Sequence, residues 1–233
     1  MTSSNVWRGT LDSTARFGPV RPSRRRFRGN GAKIPIMTSE SLLSIGVGLA
    51  LAAAAGFRVF VPLLALSLAA QAGWVALSPS FAWLATTPAT VALATATILE
   101  IAAYYVPFFD NLLDTLAAPL AVVAGIVASA SLLTDLPPWL QYSIAIIGAG
   151  GTAGVVHAST SLLRLKSSAA TAGFGNPILA TLELAGSVLI ATLAILAPLV
   201  ALAVVVLMIV WIARRVNAWR LANSRAAAQS SIR

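Results

Sequence analysis

Six ionisable side chains interrupt otherwise apolar stretches of the 233-residue chain: Arg58, Glu100, Asp110, Asp114, His157 and Glu183. A charge in hydrocarbon is costly, so such groups face a protein interior or water and mark candidate ion and proton paths. Carboxylates supply oxygen ligands for a cation, and a histidine or a buried carboxyl can take up a proton near neutrality. Asp110 and Asp114 are four apart and share one helix face. Each group also has a plain structural role open to it. The aspartates suit a wet helix start as cap and first-turn acid. Glu183 can pair with Arg164 or Lys166, and Arg58 can snorkel. Glu100, a dozen residues into its helix, suits either a functional role or an ion pair with Arg58.

The same inventory argues against an enzyme. The chain has no cysteine, which removes thiolate metal sites, disulfides and a cysteine nucleophile. His157 is followed by Ser159, Thr160 and Ser161. A serine two positions on lies off the histidine's helix face, and a nucleophile needs an oxyanion hole besides. Whether a metal binds stays open: the donors would accept Mg²⁺ or Mn²⁺, but one histidine argues against a zinc hydrolase. The run Ile144 to Gly154, IAIIGAGGTAG, imitates a dinucleotide-binding turn. That turn needs a parallel sheet and an acid about twenty positions on, and residues 168–180 contain none. The run is therefore expected to be a glycine-rich helix face, and no cofactor is expected.

The elements that must position these groups follow from the apolar runs. Leu42 to Leu77 is too long for one straight span, since about 20 residues rising 1.5 Å each cross the hydrocarbon. Gly56, Arg58 and Pro62 predict a kink or break inside it. Thr87-Pro88 reads as a cap followed by a helix-starting proline, opening a helix through Tyr105. Asp110 opens the next, to Leu133, and the loop Asp135-Leu136-Pro137-Pro138 leads to a helix from Trp139 to about Lys166. Asn176-Pro177 repeats the cap signal, and Pro198 marks a turn before a last helix ending near Ile212. Six spans result. Gly48, Ala52 and Gly56 in the first and Gly150, Gly154 and Ala158 in the fourth recur at i, i+4, i+8, a spacing for close helix packing. Their recurrence suggests a 3+3 inverted repeat.

Composition sets the solvent. The chain is 58% apolar and 10% charged, with mean hydropathy +0.85, which excludes an ordinary soluble domain. Its net charge of +9 is unevenly spread: residues 1–36 carry eight basic and one acidic side chain, 37–213 three and six, and 214–233 five and none. No basic folded surface with base-reading motifs is present, so nucleic acid is not an expected partner. The division is instead a basic, disordered tail (1–36), a helical membrane domain (37–213) and a basic tail (214–233). The expected partners are the bilayer and, at the tails, anionic headgroups. The first tail reads as a targeting segment or as a stretch preceding a true start at Met37. Counting positive charges over the six spans places both termini in the cytoplasm. Oligomeric state is not legible.

The residues Ala55-Gly56-Phe57-Arg58-Val59-Phe60-Val61-Pro62, Glu100, Val106-Pro107-Phe108-Phe109-Asp110, Asp114, His157, and Gly175-Asn176-Pro177 with Glu183 give the chain a family likeness. Over residues 40–215 it resembles the bacterial membrane proteins grouped as the domain-of-unknown-function-4126 family. The resemblance implies a multi-span membrane protein and no activity. With the polar residues it leads to an all-α, six-span inner-membrane protein. Its expected role is that of a small transporter or channel for a cation, proton or small solute, through a carboxylate-lined interior. The alternative is a non-catalytic scaffold whose intramembrane ion pairs lock helices together.

Overall fold

A computed structural model describes residues 38–105 and 109–230. Side chains of 109–114, 216 and 219–230 lie outside the description, and with them the expected roles of Asp110 and Asp114. The helices are α1 (Ser39–Phe57), α2 (Phe60–Gln71), α3 (Thr87–Tyr104), α4 (Phe109–Leu132), α5 (Pro138–Ser143), α6 (Gly151–Thr171), α7 (Asn176–Leu196) and α8 (Pro198–Ser230). A 3₁₀ turn spans Pro79–Ala85, and a π-helical segment, Ile144–Gly150, joins α5 to α6 in one continuous run. The described residues contain no strand, so the glycine-rich run is a helix and cannot form a dinucleotide turn. Six helices are long and apolar enough to cross a membrane, and α2 is a shorter apolar helix of 12 residues.

Local signals account for most helix ends. Thr38 caps α1 by accepting from Ser41 N at 3.2 Å. Thr86, one residue before the expected cap, accepts from Ala89 N, and Gly175 precedes Asn176-Pro177 at the start of α7. Ala197, with φ −144°, separates α7 from α8. The last helix continues to Ser230, well past Ile212 and into the basic segment.

α1 is the central helix. Ala50 to Ala55 are all fully buried, and α1 packs on α4, α6, α7 and α8. Without side-chain bulk, neighbouring backbones come close: a Cβ on Gly48 would fall 2.6 Å from Ser129 Oγ, and one on Gly56 would fall 2.6 Å from Val156 Cβ. Gly125 sits against Ala52 and Ala153, and Gly150 against Ile126. A Cβ on Gly154 would lie 3.4 Å from Val122, an ordinary contact, and Ala158 lies on an exposed surface of α6. The outer surface is apolar, with Leu199, Val200, Leu207 and Val210 of α8 among its exposed residues, as lipid contact requires.

The residue pairs also fix helix directions. Gly48 meets Ser129 while Ala52 meets Gly125, so α1 and α4 are antiparallel. Leu49 meets Gly148 and Gly56 meets Val156, so α1 and α6 are parallel. The two small-residue runs therefore point the same way, and the inverted relationship expected between them is not found. More consequentially, α2 turns back. Its start bonds Glu100 and its Ser67 bonds Thr90, while Trp74 and Val75, beyond its end, share a groove with Leu43 and Ser44 at the beginning of α1. The expected kink is a full reversal. With α2 folded back, Ser39 lies at one end of the bundle and Arg215 at the other. Trp74, Trp83 and Trp139 are exposed near the Ser39 end and Trp211 towards the other, as interfacial aromatics are.

Candidate functional site

The reversal leaves helix-end groups inside an apolar bundle, where each needs a partner. Arg58 is extended (φ −143°, ψ 123°), and its own N–H still reaches Ala54 O at 3.0 Å. Ser187 Oγ of α7 donates to the same carbonyl at 2.9 Å. His157 Nδ1 lies 3.3 Å from Gly56 O. A carbonyl only accepts, so this contact is a hydrogen bond when Nδ1 carries the proton. The close approach that Gly56 permits between α1 and α6 brings that ring within reach. On its other side, Nε2 lies 3.4 Å from Ser161 Oγ.

At the start of α2 the partner is Glu100. Its Oε1 accepts from Val59 N at 2.8 Å and its Oε2 from Phe60 N at 3.1 Å. A carboxylate from α3 thus caps a helix begun 40 residues earlier, where the positive end of the peptide dipoles favours an anion. Its described hydrogen bonds are to these two backbone groups, and none is to Arg58.

Arg58 does not snorkel. It is 1% exposed, with Nη2 donating to Ala180 O at 2.8 Å and its guanidinium carbon 3.9 Å from the centre of the Tyr104 ring. Arg164 lies on the same ring, at 4.1 Å, and forms a fork with Glu183: Nε donates to Oε1 at 3.0 Å and Nη2 to Oε2. Such bidentate pairing fixes both side chains, and Tyr104 offers its π-face to two cations. The pairing of Glu183 with Arg164 is one of the two partners that the sequence allowed.

Five of the sequence-derived residues are thereby placed. Arg58, Glu100 and His157 gather at the reversal, and Glu183 stands beside them through Arg164 and Tyr104. Gly56 provides the backbone approach. Tyr104, Ser187 and the Ala180 carbonyl were missed. A signal for the first two existed, because Tyr104 is four residues after Glu100 and Ser187 four after Glu183, the spacing that puts a second polar group on the same helix face. Among the described residues no three His, Cys, Asp or Glu side chains group closely enough to hold a metal ion.

A bundle of six long apolar helices around a buried polar cluster defines a polytopic membrane protein. The family model described as a domain of unknown function, DUF4126, matches residues 45–218, and the chain belongs to that family. No curated protein and no solved structure matches the chain.

Proposed function

We propose that the protein passes a small solute across a membrane, as a small transporter or channel-like protein whose interior is the polar cluster at the α1–α2 reversal. The observation that carries this reading is the extended backbone of Arg58 between α1 and α2, held inside the bundle by side chains of α3, α6 and α7. Non-helical backbone at membrane depth is tolerated where protein buries it or where it lines a cavity. Facing helix ends with polar side chains are also the layout in which secondary transporters place their substrates; that likeness is one of arrangement alone. A carboxylate-lined cation or proton path gains less support, because Glu100 and Glu183 are spent on backbone and arginine. Arg164, Lys166, Arg214 and Arg215 lie towards one end of the bundle, and we assign that end to the cytoplasmic face of a bacterial inner membrane, next to anionic headgroups. Ser39 then faces the opposite side.

The second reading, a scaffold without transport, is favoured by the same spent carboxylates. Stopped-flow light scattering on proteoliposomes separates the two. Swelling in glycerol, acetate or phosphate gradients faster than in empty liposomes supports passage. Rates equal to empty liposomes for all three solutes leave the scaffold.

A further inference from the structure

We infer that Arg58 is the docking group for an oxyanion, the carboxylate or phosphate of a solute or of a lipid headgroup. Its Nη2 is bonded to Ala180 O, but Nε and Nη1 are both buried and have no hydrogen-bond partner. No carboxylate among the described residues pairs with it: both oxygens of Glu100 accept backbone N–H groups, and Glu183 is held by Arg164. A buried guanidinium with unspent donors is costly in a bundle surrounded by lipid, and no group among the described residues hydrogen-bonds Nε or Nη1. Arg164 shares the Tyr104 ring with Arg58 but is paired with Glu183, and Glu100 caps the start of α2 two positions after Arg58. What the unspent groups can recognise is an acceptor: Nε and Nη1 lie on different edges of the planar guanidinium, each beside Nη2, so each edge offers one unspent donor to a carboxylate or phosphate oxygen.

For a solute, the inference rests on the transport reading and gives it a substrate class; for a lipid headgroup it does not need transport. The test uses the full chain in a phosphate-free maltoside detergent. Thermal unfolding is followed while sodium phosphate or sodium acetate is titrated against sodium chloride at matched ionic strength. A bound anion raises Tm saturably. The half-saturating concentration should rise about tenfold or more in Arg58→Lys, which keeps the charge but loses the planar fork. Native mass spectrometry after purification with phosphatidylglycerol tests the lipid source. One lipid retained by the wild type and lost in Arg58→Lys, without a response to the free anions, supports oxyanion docking by a headgroup. No saturable response and no retained lipid in the wild type overturns the inference, as does a response or lipid retention that Arg58→Lys leaves unchanged. If the variant does not fold, the Arg58 Nε–H resonance of the wild type decides. It shifts on adding phosphate or phosphatidylglycerol if an anion docks, and stays in place if the inference is wrong. Anion binding without proteoliposome swelling refutes transport alone, and swelling without Arg58-dependent binding refutes this inference alone.

Discussion

Replacing Glu100 by glutamine should unpin the start of α2. The carboxylate takes two backbone N–H groups, at 2.8 and 3.1 Å, in a site where the residue is 7% exposed. Glutamine offers one acceptor oxygen and turns an NH₂ towards the other N–H, so one buried donor loses its partner. Losing a hydrogen bond to a charged acceptor costs about 1.5–3 kcal/mol, and an orphaned buried donor about 1–3 kcal/mol. Exposed caps are worth roughly 0.5–2 kcal/mol. Burial puts this one towards the upper part of those ranges, roughly 2–3 kcal/mol. Hydrogen exchange in detergent or nanodiscs reads that energy locally. The amides of Val59 and Phe60 should exchange about 30- to 150-fold faster in Glu100→Gln, while amides in the middle of α1 keep their protection. Glu100→Leu should accelerate both amides further. Unchanged exchange at Val59 and Phe60, alongside lost stability or function, would refute the capping role. Recovery of stability by Arg58→Leu in the Glu100→Gln background would assign Glu100 to an ion pair instead.

Other consequences are open to measurement. Glu183→Gln should cost about 1.5–3 kcal/mol in denaturation by removing the charged acceptor from the Arg164 fork, and the double replacement Arg164→Met with Glu183→Leu should lose less than the sum of the two single replacements; additive losses would show that the fork is not coupled. Gly56→Ala should lower Tm, because its Cβ would press on Val156 and on Ala153 O, a strain of about 1–3 kcal/mol. Gly186→Ala, which meets no other part of the fold within 4 Å of the new carbon, should leave stability unchanged or raise it by up to about 1 kcal/mol through helix propensity. Equal effects at the two glycines would contradict the packing of α1 on α6. Because the chain has no cysteine, single replacements give a clean topology assay. Ser39→Cys and Thr134→Cys should react with an impermeant maleimide from one side and Ala169→Cys from the other. Labelling of Ser39→Cys and Ala169→Cys from the same side would refute the placement of these residues at opposite ends of the bundle.

The helices were legible because their causes are local. Caps, prolines and the length of an apolar run act within one turn or one span, so α3, α4, α7 and the π-interrupted run from Pro138 could be read to within a few residues. The break near Arg58 was also visible, in Gly56, Arg58 and Pro62. The single partner chosen by Glu183 was within view because one helical hairpin brings Arg164 to it. The polar residues were identifiable by type, since in an apolar sequence a charge is conspicuous wherever it falls.

The sequence by itself determined that the chain is a bundle of membrane-length helices carrying a few buried charges. Only the tertiary structure decided that α2 folds back against its predecessor's direction, and what the charges are for. Hydropathy records how apolar a segment is and carries no sign for its direction. The reversal hangs on the extended backbone of one residue, Arg58, and on a cap supplied by Glu100 from another helix. That pairing, distant in sequence, converts a candidate ion ligand into a backbone partner. It leaves Arg58 with two buried donors, Nε and Nη1, that no described residue accepts from.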